Sequence, residues 1–165
     1  MTTEELLARS VLNSWKLVIG RVDQLAASLS DEQLQQEVAP GRNRPIYLIG
    51  HLTVTHDLLF PLLRLGERLH PELDNAYLTN PDQTVPDPVS PSALKKAWNE
   101  VNAKLTAAFE SLTPAQWLER HNAVSEEDFA NEPLRNRLAV LMSRTNHASS
   151  HAGQILLALP SARNS

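Results

Sequence analysis

Apolar residues recur at steps of three and four along most of the chain, and the pattern predicts helices rather than strands. Leu7, Val11, Trp15, Val18, Val22, Leu25 and Leu29 mark a first long helix. Thr2 or Thr3 is placed to cap it, and Glu4 and Glu5 suit its positive first turn. Ser30 with Gln33 predicts a further capped turn. Leu48, Leu52, Thr55, Leu59 and Leu62 form the inward stripe of a second helix, capped by Asn43 or Arg44 with Pro45 in its first turn. Pro61 lies inside this helix and predicts a bend near Asp57, whose carbonyl loses its partner.

A third helix is predicted from Ser90 or Ser92, carrying Leu94, Trp98, Val101, Leu105, Ala108 and Leu112. Thr113-Pro114 signals another short turn, holding Trp117. A fourth helix is expected from about Asn131, with Pro133 in its first turn and Pro160 at its end. Its stripe is Leu134, Leu138, Leu141, Thr145, Ala148, Ala152, Ile155 and Leu159. Between helices two and three, residues 67–91 have weak periodicity and five prolines. A connection of that length is functional or flexible, or it crosses the bundle and makes helices two and three parallel. No alternating apolar–polar run demands a sheet. The expectation is an all-α four-helix bundle, one domain over residues 1–165.

Composition narrows the functional classes. The formal net charge is −4 with both signs interspersed, so phosphate-driven nucleic-acid binding has no support. Cysteine is absent, which excludes disulfides, thiolate ligands and cysteine nucleophiles. The apolar stretch 46–65 is interrupted by His51, His56, Asp57, Pro61 and Arg64, which argues against a membrane span. The polar, acidic start is unlike a signal peptide, and a cytoplasmic location is expected.

The candidate chemistry is in the histidines. His147 and His151 are four apart on the fourth helix, so their side chains share a face about 5–6 Å apart at Cβ. Two imidazoles so placed can converge on one metal ion. A zincin-type peptidase is excluded because His147-Ala148-Ser149-Ser150-His151 has no glutamate after the first histidine. A di-iron carboxylate centre is excluded because only Glu67-Arg68-Leu69-His70 matches its repeated motif. A third ligand must come from another helix. His51 lies on the inward stripe of helix two, where an imidazole needs a partner. His56 is rotated by roughly 140° from His51 and reads as a rim histidine paired with a carboxylate such as Asp57. His70 and His121 fall in predicted loops and read as solvated.

The stretches Asn43-Arg44-Pro45-Ile46-Tyr47-Leu48-Ile49-Gly50-His51-Leu52 and His147-Ala148-Ser149-Ser150-His151-Ala152-Gly153-Gln154-Ile155 resemble the DinB-like (DinB/YfiT) superfamily of metal-dependent enzymes. The resemblance covers nearly the whole chain. It implies up-down-down-up topology and a divalent ion (zinc, nickel or manganese) on the matching positions His51, His147 and His151. It also implies a frequent homodimer, and a low-molecular-weight thiol as cosubstrate in some relatives, one group of which isomerises maleylpyruvate with mycothiol.

Two functions follow as expectations. Three neutral imidazoles leave coordination positions open, which suits an enzyme activating water or a small thiol for a small-molecule substrate, of hydrolase or thiol S-transferase type. The other reading is a non-catalytic, metal-stabilised bundle that binds a small molecule or a partner. No general acid or base stands out. Asp57 near His51, Arg144 and Gln154 on the His147 stripe, and Tyr77 as a lid residue are the candidates.

Overall fold

A computed structural model describes residues 1–159, and Pro160, the predicted helix stop, lies outside them. Thr2 caps the first helix, α1 (Thr3–Ser28): its hydroxyl accepts from the Glu5 amide, and the Glu5 carboxylate accepts from the Thr2 amide. Ser30 and Gln33 repeat this reciprocal cap at α2 (Asp31–Leu34). The next helix, α3 (Pro45–Asp57), begins with proline at its first position. The backbone breaks at Leu58 and resumes as α4 (Leu59–Leu62), which is where Pro61 withholds an amide from Asp57. Then come α5 (Pro91–Ser111), capped by Ser90, and α6 (Pro114–Trp117), capped by Thr113. The last two are α7 (Glu126–Asn131) and α8 (Arg137–Leu156).

The four long helices α1, α3, α5 and α8 form an all-helical, up-down-down-up bundle. α1 packs on α8 and α5, and α3 packs on α5 and α8. Lys16 meets Glu110 and Asp23 meets Trp98, so α1 and α5 run in opposite directions. His56 of α3 meets Asn102 and Phe60 of the following α4 lies under Lys104, so the α3–α4 segment and α5 run in the same direction. The long connection therefore crosses the bundle. This arrangement brings the His51 level of α3 against the His147–His151 level of α8.

Three expectations are corrected. The fourth long helix begins at Arg137, not near Asn131. Pro133 has no amide to continue α7 and disfavours helical backbone before it, so a fresh cap is needed. Asn136 provides it, accepting from the Ala139 amide at 2.9 Å. Leu134 is consequently outside the stripe and exposed. Second, α3 is buried nearly all round, Thr53, Val54, His56 and Asp57 included, because other elements cover more than its inward stripe. Third, the connection is structured: it contains a 3₁₀ turn, Pro71–Leu73, and a π-helical turn, Asn75–Thr79, which bury Leu73 and Tyr77.

Candidate metal centre

His51 on α3 and His147 and His151 on α8 come together as one cluster, with one ring nitrogen from each lying within 4.8 Å of the others. His147 Nε2 is 3.0 Å from His151 Nε2 and 3.3 Å from His51 Nε2. Two nitrogens at tetrahedral angles around an ion with bonds of about 2.0–2.1 Å stand roughly 3.3 Å apart. The spacing therefore fits ligands around one ion.

The proton inventory leads to the same conclusion. His51 Nδ1 faces the Tyr77 carbonyl at 3.0 Å, so it must donate there, and its Nε2 carries a lone pair. His151 Nδ1 donates to Gln154 Oε1 at 2.8 Å, so its Nε2 is also a lone pair. Both lone pairs point at His147 Nε2, which has at most one proton to give. One close contact is left without a hydrogen, and a cation between the rings relieves it. Burial, then the neighbouring His151 and His51, push the His147 pKa down to about 4. Burial also lowers His51, against the opposing effect of the Tyr77 carbonyl. Both are thus neutral near pH 7, the form that binds metal.

The supports of the two outer rings are of different kinds. Gln154 is one helical turn beyond His151 on the same face and orients that ring, as outer-shell groups do at metal sites. It also lines a cleft of about 460 Å³ with Val38, Arg42, Asn43, Leu48 and Leu157. Tyr77 acts through its backbone. Its ring lies flat on α3 at Gly50, where an added Cβ would stand 2.4 Å from the ring carbons. That approach needs glycine immediately before His51, and it sets the Tyr77 carbonyl where His51 reaches it. From the sequence alone, Tyr77 reads only as a lid residue. The Gly-His pair was the available signal, since a glycine inside a helix costs stability without a packing reason.

The other candidates are placed elsewhere. Asp57 is fully buried and accepts from Arg68 Nε at 3.1 Å and from the Leu69 and His70 amides at 2.7 and 3.0 Å. It latches the start of the long connection and is not brought to the cluster. His56 is no rim histidine. It is buried between Trp15 and Trp98 and hydrogen-bonds Asn102 Oδ1 at 2.8 Å. Adjacent helix positions diverge by about 100°, so Asp57 never shared its face. His70 and His121 are half-buried, not freely solvated, and His70 sits beside Glu72 and Glu100. Arg144 is half-buried one turn before His147.

The sequence profile of the DinB superfamily matches residues 14–155. No curated protein sequence matches the chain. Among solved structures, one titled as a mycothiol-dependent maleylpyruvate isomerase is similar at a TM-score of 0.66 and 16% identity. The alignment covers 94% of this chain and 63% of that one, so this chain spans less than two thirds of that enzyme's length. At that identity the likeness establishes the fold. Among the described residues, no helix is long and apolar enough to cross a membrane.

Proposed function

This chain belongs to the DinB superfamily, and on that footing we propose that it is a metal-dependent enzyme using a divalent ion on His51, His147 and His151 to activate a low-molecular-weight thiol or water against a small-molecule substrate. The observation that carries the reading is the convergence of three Nε2 atoms, two of them lone pairs, at 3.0 and 3.3 Å with too few protons to satisfy one another. When bound, the ion supplies a Lewis acid that lowers the pKa of a coordinated thiol or water.

The chain's own residues prepare the site for that ion. The Tyr77 carbonyl and Gln154 Oε1 fix the tautomers of His51 and His151, and so aim both Nε2 lone pairs inward. Partial burial keeps His147 unprotonated near neutral pH. All three rings are half-buried rather than sealed, which leaves a side for a substrate. Three protein ligands with open positions are typical of catalytic ions, whereas structural ions are closed by four. This is the feature that favours an enzyme over a metal-stabilised binding bundle.

Protein reconstituted with zinc, nickel or manganese is to be screened for thiol-dependent transfer and for hydrolysis. Turnover that tracks metal content and disappears with a chelator is expected. Chelation that lowers the melting temperature while no metal form turns anything over would support the structural ion instead.

A further inference from the structure

Among the described residues, five arginines are not fully exposed: Arg44, Arg68, Arg120, Arg137 and Arg144. Four of them are paired with acids. Arg44 holds Asp82 and Asp87, Arg68 holds Asp57 and Asp74, Arg120 faces Glu126, and Arg137 meets Glu119 at 3.2 Å. Arg144 has no carboxylate and no hydrogen-bond acceptor among the described residues, and its Nε is shut away from solvent without a partner. Burial pulls its pKa below the ordinary arginine value, and no partner offsets that pull. A guanidinium withdrawn from water and left unpaired is costly, so folded chains pair such groups or keep them for a ligand.

Its position identifies the ligand. Arg144 is three residues before His147, so it lies on the same face of α8 one turn away. Its charge reaches His51, His56 and His147 and pushes each toward the neutral form. The metal cluster contains no carboxylate, so ion and guanidinium together make a strongly positive site. A planar guanidinium fork pairs with both oxygens of a carboxylate at once.

We infer that Arg144 is the anion clamp of this site, and that the substrate brought to the three imidazoles carries a carboxylate that pairs with its guanidinium. This rests on the metal-centre reading, and the test separates the two. Succinate is titrated calorimetrically into the full chain, both metal-free and cobalt-loaded, with uncharged succinamide and inorganic phosphate as comparisons. Arg144→Gln is expected to weaken succinate binding by about 10- to 100-fold, the loss of a charged hydrogen-bonded pair. Arg144→Lys falls between, because it keeps the charge and loses the fork. Both variants keep the parent's cobalt content.

The clamp is overturned if neither form of the parent binds succinate, if Arg144→Gln binds it as well as the parent, or if succinamide or phosphate binds as tightly as succinate. If no cobalt is taken up, the metal centre fails, and the metal-free comparison of Arg144→Gln with the parent still decides the clamp.

Discussion

His51 and His56 stand five residues apart on α3 and do opposite things. His51 reaches the half-open seam between α3 and α8, fixes one nitrogen on a backbone carbonyl and turns the other toward two more imidazoles. His56 points into the α1–α5 side, with ring centroids 4.7 Å from Trp15 and 5.1 Å from Trp98. Its Nδ1 donates to Asn102, and its Nε2 is buried without a partner. The more buried histidine is therefore the one that meets no other ligand. Burial makes an imidazole neutral, but only convergence makes it a candidate for metal. The rotation of about 140° over five residues is what separates the two roles.

The largest effects should come from exchanging the insults. His147→Ala removes one of the three proposed ligands and should cost metal affinity more than about 100-fold, beyond the range seen for outer-shell changes. Its effect on the stability of the metal-free fold should be small, because the ring is only half-buried. His56→Ala should do the reverse. It opens a cavity between two indoles and strands Asn102, for about 2–5 kcal/mol by chemical denaturation. Metal affinity in the folded variant should stay within a few-fold by chelator competition. Equal loss of metal affinity in the two variants would erase the distinction.

Gly50→Ala comes next and attacks only the His51 side. The new methyl group collides with the Tyr77 ring, an overpacking that costs about 1–3 kcal/mol. It also shifts the carbonyl that holds His51, so metal affinity should fall about 10- to 100-fold. Unchanged affinity in this variant would show that the Tyr77 carbonyl does not matter to His51 as a proposed ligand.

The smallest effect is a slope. Burial pushes the His56 pKa down to about 3 in the folded chain, while an unfolded histidine titrates near 6.5. Between those values the unfolded chain binds more protons, so stability from this group is complete above pH 6.5 and declines as pH falls toward 3. The decline is at most about 1.4 kcal/mol per pH unit for one group. His56→Gln, measured metal-free by denaturant titration at pH 7.5, 6 and 5, should have a flatter slope than the parent. Identical slopes would mean that His56 does not titrate in this range.

Much of this was legible in the sequence. The helical periods, the caps at Thr2, Ser30, Ser90 and Thr113, and the break near Asp57 all follow from local chemistry, which is written in the chain. The facing of His147 and His151 follows from a spacing of four, and Gln154 from a further turn. The Tyr77 carbonyl was not legible, because every residue carries the same backbone acceptor and only tertiary approach selects one. His56 was misassigned for the same reason: Asn102, its partner, is 46 positions away, and Asp57 was merely adjacent in sequence. The start of α8 was misplaced because Pro133 both opens helices and stops them, and here it stops one.

The most direct test is metal content by elemental analysis after reconstitution and desalting, on the parent and on His51→Ala, His151→Ala and His56→Ala. About one ion per chain is expected in the parent and in His56→Ala, with the ion lost from the other two. A parent that stays metal-free, or a His51→Ala variant that keeps its ion, would contradict the three-histidine centre.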